Sequence, residues 1–90
     1  MKPIVDSEPL KKKKLECIEN GFRYSEPGVF GMGEGGQHAF HEIDAIVRDS
    51  HPAVLHIQVG RTIYSVRYKA NDANHRAVID CIVAGAKAAH

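Results

Sequence analysis

Apolar and polar side chains alternate over residues 53–59 and again over 62–69, with Gly60-Arg61 between the two runs. Alternation with a period of two marks a strand with one buried face. Glycine at the first position of a two-residue loop suits a type II′ turn, which needs positive φ there. The hairpin so defined pairs Val59 with Thr62, Ile57 with Tyr64 and Leu55 with Val66 on its core face. On the other face Gln58 meets Ile63, His56 meets Ser65 and Val54 meets Arg67. Val54 and Ile63 make this second face partly apolar, which marks it as a candidate interaction surface. A second hairpin is predicted from Leu15 to Glu26 around Asn20-Gly21, the pair that a type I′ turn favours. Its expected register sets Glu19 against Phe22, Cys17 against Tyr24 and Leu15 against Glu26, leaving Leu15, Cys17, Phe22 and Tyr24 on the buried face.

After Lys69 the period changes. Asn71 or Asp72 is placed to cap a helix, and Val78, Ile79, Ile82, Ala86 and Ala89 fall on one face of it. Gly85 lies near the edge of that stripe, where a glycine that costs about 1 kcal/mol relative to alanine points to a close backbone approach. Residues 1–9 hold Pro3, Asp6, Ser7, Glu8 and Pro9 and read as a loose arm, with a single domain over 10–90. The middle has two readings. Phe40, Ile43 and Val47, with Ala39 and Ile46, make a helical stripe, while His41, Ile43, Ala45 and Val47 make a strand alternation. Pro52 ends the segment in either case, since the residue before a proline is pushed out of the helical region. The expected core is Leu15, Cys17, Phe22, Tyr24, Leu55, Ile57, Tyr64, Val66, Val78, Ile79 and Ile82.

Ninety residues with a formal charge of +1 leave room for one core and create no global field to draw nucleic acid or membrane. No apolar run approaches the roughly 18 residues of a membrane span, and the first residues lack a signal-peptide pattern, so the expected setting is cytoplasmic, without integral membrane association. Cys17 and Cys81 lie far apart without CxxC spacing, which fits a reduced chain better than a disulfide-built one and leaves a single bridge open.

The segments Ile18-Glu19-Asn20-Gly21-Phe22-Arg23-Tyr24, His41 to Arg48, Leu55-His56-Ile57 with Gly60, and Ile63 to Val66 follow one another ahead of the amphipathic helix. In this order of apolar positions and turns the chain resembles a bacterial pleckstrin-homology-like domain from Leu10 to its end. The resemblance implies an α+β fold, a curled antiparallel sheet or barrel capped by one C-terminal helix. It also implies that the middle block is strand, short turn and strand. The alternative is a ββαββα open sheet with two helices.

Several motifs carry candidate chemistry. Gly31, Gly33 and Gly36 spell GxGxxG, but position 56 is His56 where a dinucleotide site needs an acidic side chain, and too little chain remains for a doubly wound sheet. A loop or wide turn explains these glycines. His38, His41 and His56 crowd one region with Glu42 and His51 and form the candidate metal set, since neutral imidazole is a good zinc ligand. His38-x-x-His41-Glu42 is not HExxH, however, and on a strand His38 and His41 point to opposite faces. Lys11, Lys12, Lys13 and Lys14 form the candidate anion-binding run, for phosphate or a lipid headgroup. No aromatic residue is interleaved with them to stack bases, so nucleic acid is not the expected partner. No GxSxG elbow or paired carboxylates suggest catalysis. The sequence therefore predicts a non-catalytic interaction module without a cofactor. It would bind a protein partner or a second copy, as a homo-oligomer, through a sheet edge or the face carrying Val54 and Ile63, with metal and anion binding as alternatives.

Overall fold

A computed structural model describes residues 1–6, 12–26 and 34–90. Seven strands and one helix are found among them. The strands are β1 (Ile4–Val5), β2 (Lys14–Ile18), β3 (Gly21–Glu26), β4 (Glu34–Ala39), β5 (Ala45–Ser50), β6 (Ala53–Val59) and β7 (Thr62–Arg67), followed by α1 (Ala73–Ala89). They form two antiparallel sheets, β1-β2-β3-β4 and β5-β6-β7. The sheets do not close into one ladder, so the fold is an open α+β arrangement with a single C-terminal helix among the described residues.

The β6–β7 hairpin has the predicted register, from Val54 against Arg67 to Val59 against Thr62. Gly60 sits at φ +61 with open space around it, as the first position of a II′ turn requires. The expected partition of faces also holds, with Leu55, Ile57 and Val66 almost wholly buried.

The middle block is not a helix, which removes the two-helix alternative. A 3₁₀ turn at Phe40–Glu42 joins β4 to β5. β-branched Ile46 and Val47 suit a strand, and pairing with β6 sets Ile46 opposite Ile57 and Val47 opposite His56. Ile46 therefore packs against the core while Val47 is 53% exposed, the reverse of the alternation that put Ala45 and Val47 inside.

The β2–β3 hairpin turns one residue earlier than expected, with Ile18 opposite Gly21 and Leu15 opposite Tyr24. Asn20 takes the left-handed conformation, at φ 63. Gly21 is instead a strand residue opposite Ala39, where a Cβ would run into the carbonyl oxygen of His38. The change in pairing is an even number of residues, so Leu15, Cys17, Phe22 and Tyr24 keep their common face.

Residues 1–6 are not a loose arm. Ile4 pairs with Leu15, and its side chain is fully buried. Asp6, 4% exposed, accepts the Arg67 N–H at 3.0 Å and donates its own N–H to the Lys13 carbonyl at 2.8 Å. It thereby ties the first sheet to β7. The Lys2 N–H and carbonyl bond the Asn74 side-chain amide at 2.8 and 2.7 Å. Burial of one isoleucine and these bonds outweigh the turn formers around a strand of two residues. Residues 7–9, the rest of the expected arm, lie outside the described residues.

Helix α1 is capped by Asp72, whose carboxylate accepts the His75 N–H at 3.0 Å. That bond holds the Asp72 carboxyl below its ordinary pKa. Val78, Ile79, Ile82 and Ala86 are buried against a core shared with both sheets and Ile43, while Ala89, expected on the same stripe, is exposed. Gly85 faces the Phe40 ring, which occupies the place of its missing Cβ, so the close approach is by an aromatic side chain and not by backbone. Cys17 on β2 and Cys81 on α1 form a disulfide, with Cα atoms 6.3 Å apart across 64 residues of sequence.

Candidate functional site

Strand β5 is one edge of its sheet, pairing among the described residues only with β6, while the other edge, β7, is met by Asp6 at Arg67. An edge strand presents unpaired N–H and C=O groups, which another chain can satisfy. Beside it lies a groove of about 300 Å³ between the segment 43–46 and the last turns of α1. Ile43, Ala45 and Ile46 line one wall and Val83 and Ala86 the other, while Asp44, Lys87 and His90 supply polar groups.

Local contacts set the shape of this groove. The Asp44 carboxylate accepts the Gly60 N–H at 2.6 Å and the Asp44 N–H bonds the Gln58 carbonyl at 2.8 Å, which fixes the entry into β5. The end of α1 is drawn to the turn by Phe40 against Gly85 and by a bond of 2.8 Å from the His90 ring to the Ile43 carbonyl. Arg48 extends toward Asp80 of α1 at 3.9 Å, both side chains being largely exposed. The result is an apolar slot running beside open backbone valences. This suits an extended segment whose main chain adds to the sheet and whose side chains enter the slot.

A separate polar link spans the sheets. His38 Nε2 and the Tyr64 hydroxyl are 2.7 Å apart, and His38 Nδ1 lies 3.5 Å from Glu42. The Ala39 N–H donates to Glu42 at 2.6 Å and holds that carboxyl below its ordinary pKa, with His38 adding to the effect. Phe22 and Tyr24 pack on the Tyr64 ring with centroids 5.8 and 4.7 Å away. A Cβ at Gly36 would fall 2.7 Å from the Tyr64 hydroxyl, so this glycine, expected in a loop, sits in β4 and makes room for the His38–Tyr64 bond. Gly31 and Gly33 lie outside the described residues.

The candidate metal set is not brought together. His38 is engaged as above, His41 is exposed on the 3₁₀ turn, and His56 bonds Ser65 at 2.7 Å and Asp49 at 2.9 Å on the outer face of the second sheet. Among the described residues no three His, Cys, Asp or Glu side chains are grouped to hold a metal ion. Of the lysine run, Lys11 lies outside the described residues; Lys12 and Lys14 are exposed and Lys13 is half-buried. Val54 and Ile63 share the outer face of β6–β7, but the His56–Ser65 and Gln58 positions separate them, so they form no continuous patch. Ile63 is 61% exposed and Val54 half-buried.

The groove was missed in the sequence because its walls come from segments about 40 residues apart. The available signal was the apolar excess of the middle block, which exceeds what one strand face needs. Comparison of the chain with protein-family models, with curated proteins and with solved structures finds no match. Among the described residues no helix is long and apolar enough to cross a membrane.

Proposed function

We propose that this chain is a non-catalytic recognition module that docks an extended segment of a protein partner along the free edge of β5. The observation that carries this reading is the apolar slot of Ile43, Ile46, Val83 and Ala86 lying directly beside that edge strand. Main-chain bonds would supply affinity and the slot selectivity, the division of labour usual in strand addition. The pleckstrin-homology-like resemblance belongs to the same proposal. It is supported by antiparallel strands followed by one helix and by the strand, turn and strand of the middle block.

The proposed setting follows the redox state of the cysteines. A cytoplasmic chain would carry them reduced, whereas the bridge seen here suits an oxidising compartment, because the fold removes the sequence separation that argued against pairing. Metal and anion binding have less support, the histidines being bonded in separate places and the lysine run being only partly described.

Selection of a displayed random-peptide library on the immobilised chain, followed by NMR mapping of the selected peptide, tests the reading. Amide shifts should concentrate on Ala45 to Ser50 and on Val83 and Ala86. Val83→Glu, with folding checked by circular dichroism, should weaken binding at least about tenfold, and so should backbone N-methylation of the peptide. Peptides that map to another face, or that bind equally after N-methylation, would exclude strand addition. A second copy of the chain as occupant would show as shifts in the same residues that depend on protein concentration.

A further inference from the structure

We propose that the Cys17–Cys81 bridge is a redox latch on α1 that governs the β5 groove; the inference rests on the docking reading above. Besides its buried stripe and the exposed Arg48–Asp80 pair at 3.9 Å, α1 is tied to the rest of the molecule at its start, middle and end. Its first turn is bonded to Lys2 through Asn74, its middle is joined covalently to β2, and its end is held at the 3₁₀ turn by Phe40 against Gly85 and by His90 on Ile43. Cys81 sits two residues before Val83 and five before Ala86, which form one wall of the groove. The other wall belongs to the segment entering β5, whose pairing with β6 owes nothing to the bridge. Opening the bridge therefore acts on one wall and leaves the other in place.

The bridge is also only partly covered. Both cysteines are half-buried, and Cys17 lines a surface dent with Lys2, Pro3 and Glu16. The co-reactant is a dithiol, small or carried on a protein. One of its thiolates attacks Cys17 Sγ, breaking the S–S bond and releasing the Cys81 thiolate, which takes up a proton. The second thiol of the reductant then attacks the mixed disulfide and releases Cys17. The reductant leaves as a disulfide, and the two cysteines have gained two electrons and two protons. With the latch closed both walls stand; with it open α1 fluctuates on the sheet and the slot widens.

The experiment is amide hydrogen exchange by NMR on the intact chain, oxidised and then reduced with dithiothreitol in native buffer. A latch predicts reduction without denaturant, and faster exchange at Val78 to Ala86 by at least about tenfold relative to Leu55, Ile57 and Val66 in the β6–β7 hairpin. The Cys17→Ser/Cys81→Ser variant should match the reduced chain with or without dithiothreitol. A bridge that opens only in denaturant, or exchange that rises equally in helix and hairpin, would identify an ordinary structural crosslink and overturn the latch. The peptide selected on the groove provides the second arm, with affinity at least about tenfold weaker for the reduced chain. Equal affinity in both states overturns the latch and leaves the docking reading intact. If no peptide maps to the groove the docking reading falls, and with it the latch's control of docking, while the exchange ratio still decides whether the bridge holds α1.

Discussion

Two hairpins in this molecule carry a glycine in or next to a two-residue loop, and the glycine does a different job in each. In β6–β7, Gly60 is in the loop at φ +61 with nothing near its missing side chain. In β2–β3, Gly21 has left the loop to Asn20 and lies in the strand, where the absent Cβ lets the backbone of His38 and Ala39 come close. One glycine is selected by a backbone angle and the other by a neighbouring strand. The hairpins also differ in what lies beyond them. β2 has β1 and a disulfide to α1 on its far side, so the first hairpin is stabilised by long-range contacts. β6–β7 has the period-two pattern, the turn and the pairing all within 15 residues, and β5 added at one edge only.

The largest expected effect tests the dependence of the first hairpin on distant contacts. Removing the bridge with Cys17→Ser/Cys81→Ser should lower the unfolding free energy by about 4 kcal/mol, the chain-entropy value for a loop of this length. Urea denaturation measures it, and a loss below about 1 kcal/mol would show that the first hairpin and the helix are held by packing alone. Next comes Gly21→Ala, which forces a Cβ into the His38 carbonyl and should cost about 3 kcal/mol by overpacking. Gly60→Ala meets no atom and should cost only about 1 kcal/mol, from the left-handed backbone. Equal losses at the two glycines would mean that both serve as turn residues and would erase the contrast.

The smallest effect concerns carboxylates outside the second hairpin. Asp72 at the helix start and Glu42 at the end of the 3₁₀ turn both accept backbone N–H bonds, from His75 and Ala39, and both have lowered pKa values in the folded chain. Their contribution is therefore complete above the unfolded-state carboxylate range and is lost as pH falls through the lower folded values. The melting temperature should fall between neutral pH and about pH 3, and Asp72→Ala or Glu42→Ala should flatten that fall at its acid end. An unchanged acid profile in both variants would show that neither bond matters to stability.

The legible parts of the chain share a property. In β6–β7 and α1 the period, the turn glycine and the capping aspartate all lie within a few residues of what they determine, and they agree with one another. β1 shows the opposite case. Pro3 and Asp6 signal a turn locally, yet Ile4 pairs with Leu15 of β2 and is fully buried in the shared core, and Asp6 finds its acceptor role on β7, 61 residues away. The middle block has two readings in the sequence because Ile43 and Val47 belong to the helical stripe and to the strand alternation alike. Only the partner strand β6 chose between them. The candidate histidines followed a similar course, since closeness in sequence along strands and turns does not bring side chains to one face.

By itself the sequence determined the register of β6–β7, the common face of Leu15, Cys17, Phe22 and Tyr24, the helix with its stripe, and so the α+β class, because each follows from backbone period and local sterics. The tertiary structure decided the place of Gly21, the strand identity of the middle block, the ordering of residues 1–6, the pairing of Cys17 with Cys81 and the groove beside β5. Each of these depends on which surface of a distant segment arrives next to it. That arrival is governed by how the whole core closes, and no window of neighbouring residues contains it.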